Sequence, residues 1–269
     1  MKQSVLCLSQ KGLDVIMKRI FLGLFVCLLF TGSTLAAMSD SDFIDLCKEG
    51  SLQQVNDAIK NGANVNSPKG DGWTPLMNAV RNSNPEVVTA LIKAGADVNA
   101  QTIHGTTPLM AVVTVTTPEA IAALITAGGN VNARDSHGVT PLMFAISMTT
   151  NLEVVTTLIK AGANVNAQSE GGFTPLMAAA AALIYSNPEV ITALIKAGAD
   201  VNARNEDGWT PLICAVRRDP KPEVITTLLQ LGADPKAKDN SGKMAIDYAN
   251  EHVKLRNTDV FRKLKDASY

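Results

Sequence analysis

Aromatic residues make up only 4% of this 269-residue chain, cysteine occurs four times and histidine three times. Charge of either sign is not in excess, since 24 Lys and Arg stand against 25 Asp and Glu for a net charge of −1. Each shortage excludes something. Few aromatics argue against a single large core filled by bulky rings, and they suit thin layers of Ala, Val, Leu and Ile. Three histidines, His104, His137 and His252, leave little for a catalytic or zinc constellation, which needs several such donors at close spacing. No Gly-rich phosphate loop, no Gly-x-Ser-x-Gly and no Cys/His pair in register is present. The charge balance speaks against a nucleic-acid polyanion as partner, because such binding rests on a basic surface.

The first 37 residues differ from the rest. Lys18-Arg19 is followed by the uncharged apolar run Ile20–Phe30 and then by Thr31-Gly32-Ser33-Thr34-Leu35-Ala36-Ala37. That is the order of a secretory signal peptide, with an apolar run too short to span a bilayer comfortably. Cleavage near Ala37 or Met38 is expected, Met17 is a candidate true start, and an uncleaved signal anchor is the alternative. Cys27 has no small residues before it, which argues against lipid modification. Without residues 1–37 the chain carries 20 basic and 24 acidic residues, a net −4.

Only Cys47 and Cys214 remain after cleavage. They fall in the first and sixth of the repeated units described next. Helices stack about 8–10 Å apart, so five units separate the thiols by roughly 40–50 Å. A disulfide needs Cα atoms within about 7 Å. No internal bridge is expected, and both cysteines read as small core residues.

The organising feature is repetition. Gly72-Trp73-Thr74-Pro75-Leu76-Met77 recurs with small changes at Gly105, Gly138, Gly172 and Gly208, and in degenerate form at Gly242-Lys243-Met244-Ala245-Ile246. Counted from Thr74, the spacings are 33, 33, 34, 36 and 34 residues. Gly-Ala-Asp/Asn-Val-Asn keeps the same beat at Gly62, Gly95, Gly162 and Gly198, with variants at Gly128 and Gly232. A fixed period of this length predicts a solenoid of stacked units.

Each unit reads as two helices and a finger. The Thr of Thr-Pro-Leu caps a short helix, and Pro at its first position sacrifices no needed N–H. Asn84-Pro85-Glu86, Thr117-Pro118-Glu119, Asn187-Pro188-Glu189 and Lys221-Pro222-Glu223 start a second helix, the Glu complementing its dipole. Val87, Val88, Leu91 and Ile92 share one helix face. Lys93-Ala94-Gly95 ends it with a cation and a glycine suited to the left-handed conformation. Asp97-Val98-Asn99 opens a polar finger.

These motifs resemble ankyrin repeats, over roughly residues 40–269. The resemblance implies an all-α repeat solenoid of helix-turn-helix units with finger loops, about seven in number. A polar N-terminal cap (40–68) carries Asp40, Asp42, Lys48, Gln53 and Gln54. Five regular units follow (69–101, 102–134, 135–168, 169–204 and 205–238), and a C-terminal cap (239–269) ends in the basic stretch Arg262-Lys263-Leu264-Lys265. The chain departs from the family where His usually follows Thr-Pro-Leu and bonds between repeats. Here Met77, Met110, Met143, Met177 and Ile213 occupy that place, which weakens the family expectation of finger rigidity. The Met row reads as soft gap-filling, with oxidation sensing as the functional alternative.

The fifth unit has three more residues between Thr174 and Glu189 than the second has between Thr74 and Glu86, within the Ala178–Tyr185 stretch. High helix propensity there predicts a first helix nearly one turn longer than its neighbours, with Ile184 or Tyr185 at an exposed edge.

His104 and His137 occupy equivalent finger positions one unit apart. They read as exposed finger residues, with contact to a partner as the alternative; no metal, cofactor or enzymatic role is expected. What the resemblance implies about function is recognition: finger tips and first helices line a concave groove that grips proteins. The groove position before Thr-Pro-Leu is held by Trp73, Thr106, Val139, Phe173 and Trp209. Seven residues after each motif Thr stand Arg81, Thr114, Ser147, Ala181 and Arg217. Trp, Tyr and Arg are the residues most enriched at binding hot spots, so the expected partner-binding residues are Trp73, Arg81, His104, His137, Phe173, Trp209 and Arg217. The alternative is that Trp73 and Trp209 pack on their own fingers. The expectation is a monomeric, non-catalytic scaffold in a bacterial periplasm that binds a protein partner, with no nucleic acid and with membrane contact only if the signal stays uncleaved. A secreted interaction protein acting outside the producing cell is the second reading.

Overall fold

The first helix of each regular unit is seven residues or so long, too short to hold together alone in water, and the stack supplies what length cannot. In the computed structural model the described residues are 38–81, 84–112, 118–148, 151–182, 187–217 and 220–268; the leader reading of residues 1–37 lies outside them. Ser39–Tyr269 form one unit of contacts. In chain order the helices are α1 (Asp40–Glu49), α2 (Leu52–Lys60), α3 (Pro75–Arg81), α4 (Pro85–Lys93), α5 (Pro108–Val112), α6 (Pro118–Thr126), α7 (Pro141–Met148) and α8 (Leu152–Lys160). They continue with α9 (Pro175–Ala181), α10 (Pro188–Lys196), α11 (Pro211–Arg217), α12 (Pro222–Gln230), α13 (Ala245–Ala249), α14 (Val253–Arg256) and α15 (Asp259–Ser268), with one 3₁₀ turn at Glu170–Gly172. The architecture is an all-helical solenoid, without a strand among the described residues. No helix among them is long and apolar enough to cross a membrane.

First helices pack on first helices and second on second, α3 on α5 and α4 on α6 for example. The motif threonines begin each first helix. Thr74, Thr107, Thr140, Thr174 and Thr210 accept through Oγ1 from the backbone N–H three residues on, at 3.3–3.4 Å. Asn84, Asn151 and Asn187 cap second helices in the same manner, whereas Lys221 supplies no side-chain cap. At the other end of α4, Gly95 takes φ +88°, and the N–H of Ala96 returns to the carbonyl of Leu91 at 3.0 Å. Burial is continuous along the stack. Leu76, Val80, Leu91, Leu124, Leu158, Leu194, Leu212 and Leu228 are all fully shielded.

Met77, Met110, Met143, Met177 and Ile213 are buried too. They act as apolar plugs between units and are out of reach of an aqueous oxidant. Polar bonds between units are made by asparagine. Asn66, Asn99, Asn132, Asn166 and Asn202 each donate Nδ2 to the carbonyl of a glycine in the next unit, Gly95, Gly128, Gly162, Gly198 and Gly232, at 2.8–3.2 Å. Each also accepts through Oδ1 from a backbone N–H two residues beyond that glycine, at 2.7–2.9 Å. Lys236 holds the corresponding place at the end of the ladder. The last Asn of Gly-Ala-Asp-Val-Asn thus clamps each unit to its successor.

The fingers form a second ladder of backbone bonds. Ile103 N–H donates to Asp71, Ser136 to His104, Glu170 to His137, Glu206 to Gly171 and Asn240 to Asp207, at 2.8–3.0 Å. Such approach leaves no room for a side chain at Gly105, which lies at φ +77° with the Asp135 Cα 2.9 Å from where a Cβ would stand.

The ends are sealed by different means. In the first unit Ser51 and Gln54 form a reciprocal capping box, Asp40, Asp42, Lys48 and Gln53 are exposed, and Asp45 pairs with Lys69 at 3.1 Å. At the other end α15 buries Val260 and Leu264 and turns Arg262, Lys263 and Lys265 outward.

The fifth unit differs from expectation. Its first helix stops at Ala181, no longer than α3 or α11, and Ala182 is already extended at φ −63°, ψ +118°. Ile184 and Tyr185 lie outside the described residues. Alanine propensity is a weak force per residue and does not set where this helix ends.

Candidate functional site

Two positions per unit meet where a finger joins its first helix. The residue before Thr-Pro-Leu closes the finger hairpin: its carbonyl accepts from Lys69, Thr102, Asp135, Ser169 or Asn205, at 2.9–3.1 Å. The residue seven after the motif Thr lies in the last turn of the first helix. Where these positions hold Trp and Arg, the two stack. Arg81 Cζ lies 5.1 Å from the centroid of the Trp73 ring, and Arg217 Cζ lies 3.4 Å from that of Trp209. A cation over an indole face is attracted by the ring quadrupole, and Arg in the last helical turn also suits the helix dipole.

The structure brings the C-terminal candidates together in one run and leaves Trp73 with Arg81 as a separate pair. Phe173 and Trp209 meet edge to face across two units, with centroids 6.0 Å apart and planes at 76°. Arg217 is then shared between Trp209 and Tyr248, whose ring centroid is 5.4 Å from Cζ. Lys243 reaches the same tyrosine at 5.1 Å and pairs with Glu251 at 3.4 Å. Trp73, Phe173 and Trp209 are half-buried, packed partly on the core, while Arg81 and Arg217 are exposed. The rings thus pack on the core and also present a face. In the middle units Thr106 and Val139 are half-buried and Ser147 is exposed; Thr114 lies outside the described residues.

Tyr248 is anchored from behind. Its hydroxyl donates to Asp239 Oδ2, while Asp239 Oδ1 accepts from the backbone N–H groups of Ser241 and Lys243 at 2.8 and 3.0 Å and from Ser241 Oγ at 2.7 Å. Burial pushes the Asp239 carboxyl up, but the donors from Ser241, Tyr248 and the backbone outweigh it and bring it down to about 2. Burial, with the bond to Asp239, pushes the Tyr248 hydroxyl up.

Asn205 holds the corresponding place one unit earlier. Its Oδ1 accepts from Trp209 N at 2.8 Å, but its buried Nδ2 has no hydrogen-bond partner, because Cys214 stands where Tyr248 stands in the next unit. Burial drives the Cys214 thiol up to about 12 despite Arg217, and Cys47 likewise. Both are free, buried thiols, poor nucleophiles and poor metal ligands.

His104 and His137 sit on the fingers and are exposed. His137 Nδ1 bonds Glu170 Oε2 of the following finger at 2.9 Å, and that bond, with the adjacent negative charge, raises its pKa. His137 therefore serves as a finger-to-finger link. Among the described residues no three His, Cys, Asp or Glu side chains gather as a metal site.

Sequence reasoning missed Tyr248 and Phe144. Both lie four residues after the motif position, at Met244 and Thr140, one turn before the position that carries Arg217 or Ser147, so both share its helix face. Met148, 47% exposed at the end of α7, extends the same face. The signal was present as an aromatic at equivalent places in two units.

A family model described as "Ankyrin repeats (3 copies)" matches residues 43–135, 94–169, 113–205, 151–239 and 176–266. Among solved structures the chain is similar to the human ASB11 ankyrin repeat domain, at 25% sequence identity and a TM-score of 0.72, covering 84% of this chain and 96% of that one. No curated protein sequence matches.

Proposed function

The chain belongs to the ankyrin-repeat family, and from that premise we propose that it is a non-catalytic scaffold, exported to a bacterial periplasm, that holds a protein partner in the groove between fingers and first helices. Domains of this family generally serve as protein–protein interaction modules. The observation that carries the groove reading is the run Phe173, Trp209, Arg217 and Tyr248, three rings and an Arg, among them all three hot-spot residue types, laid side by side over three units and left half-open to solvent. Rigid rings bury area with few rotors to freeze, and an Arg held on a ring face has lost part of its freedom before a partner arrives. The export reading is carried by the Lys18–Ala37 pattern.

Photo-crosslinking in cells tests both. A crosslinker at Ser147 or Ala181 is expected to trap a protein partner, and one at Gln230, exposed at the end of α12, is not. Trp209→Ala with Arg217→Ala is expected to abolish the adduct while helical circular dichroism is kept. An adduct from Gln230 alone defeats the groove reading. Fractionation decides location: protein in the medium favours the secreted reading, and protein in the cytoplasm sinks both export readings.

A further inference from the structure

We propose that the Trp209–Arg217–Tyr248 patch takes a carboxylate of an acidic peptide segment; this rests on the groove reading and specifies its partner's chemistry. Stacking occupies the faces of a guanidinium and leaves its edge of N–H donors open. Arg217 is held in this way, at 3.4 Å from the Trp209 centroid and 5.4 Å from that of Tyr248. Its guanidinium is exposed and makes no hydrogen bond or ion pair with any described residue. A carboxylate is the group that fits such an edge, through two parallel N–H···O bonds.

The arrangement is repeated. Arg81 over Trp73 is the last residue of its first helix as Arg217 is of α11, and it too lacks an ion pair among the described residues. The finger tips carry the opposite charge, with Glu170, Glu206 and Asp207 exposed. A uniformly anionic chain is repelled by those tips, and the net −4 beyond residue 37 adds to the repulsion. The segment that fits carries spaced carboxylates that reach the first-helix floor, with apolar residues between them for Phe173 and Trp209. A nucleic acid, charged at every residue, does not meet that description.

The test uses a displayed library of random twelve-residue peptides, retained on the protein and measured again as purified peptides. The retained pool is expected to be enriched in Asp and Glu. Arg217→Gln is expected to weaken its binding by roughly tenfold or more, and Arg217→Lys, which keeps the charge but not the fork, by less. Arg262→Gln, which removes an exposed cation of α15, is expected to change nothing. The guanidinium is exposed, so circular dichroism of Arg217→Gln should match the unaltered protein; if it does not, Arg217→Lys carries the comparison. A pool lost on Trp209→Ala but not enriched in acids overturns the carboxylate and leaves the groove reading standing. So does an acid-rich pool bound equally by Arg217→Gln. A pool indifferent to both Trp209→Ala and Arg217→Gln, or a library from which nothing is retained, overturns both. Displacement of the pool by a twelve-nucleotide single strand overturns the choice of a peptide.

Discussion

Replacing Asn132 by Ala tests the claim that an asparagine ladder clamps each unit to the next. Asn132 sits at the middle interface, donating to the Gly162 carbonyl at 3.0 Å and accepting from Asn164 N–H at 2.7 Å. Truncation removes both bonds and touches no core side chain, since Asn132 is exposed. Net values of about 0.5–1.5 kcal/mol per bond, taken low because water can replace either partner, put the loss at about 1–2 kcal/mol. With a urea slope of about 2–3 kcal/mol per molar, the unfolding midpoint falls by roughly 0.5 M. In a stack whose units touch only their neighbours, a weakened central interface also loosens the coupling between halves, so the transition should broaden. Asn132→Asp keeps the acceptor but sets a carboxylate against a carbonyl oxygen, and it should cost at least as much as Ala. Urea unfolding followed by circular dichroism reads all three. A midpoint for Asn132→Ala within about 0.1 M of the unaltered protein, against the roughly 0.5 M expected, refutes the ladder as an interface clamp.

Gly105→Ala should destabilise by about 1–3 kcal/mol, because it places a Cβ at φ +77° and 2.9 Å from the Asp135 backbone; thermal unfolding measures it, and an unchanged Tm refutes the close finger stack. NMR titration should find His137 above its ordinary 6.5, with Glu170→Gln bringing it back; because the folded pKa is the higher one, the pair's support is complete below 6.5 and lost as pH rises through the raised value. Asp239 works in the opposite sense: its folded pKa of about 2 lies below the ordinary 3.8, so its support is present above 3.8 and lost as pH falls towards 2. Tyr248→Phe removes one donor, which raises the folded pKa of Asp239 and should make that acid loss smaller, followed by circular dichroism. Cys47 and Cys214, both pushed up to about 12, should resist a thiol reagent until the stack is unfolded.

The repeat, the two helices of each unit and their caps were legible because each rests on bonds within a few residues. Thr74 reaches only to Met77 and Asn84 only to Val87, so residue type and spacing carry the whole of the cause. The Trp and Arg positions were legible through the period, which places Trp209 and Arg217 at equivalent points to Trp73 and Arg81. Interactions that cross from one unit to the next depended on the stack. No local rule joins Asn132 to Gly162, Arg217 to Tyr248, or His137 to Glu170, since each pair is about thirty residues apart in sequence and touches only when units stack. The end of α9 was misjudged as well, since alanine propensity asked for another turn and the chain is already extended at Ala182. Propensity is worth tenths of a kcal/mol per residue, and a packed interface between units outweighs it; periodicity determined what each unit is, and stacking decided which side chains share a site.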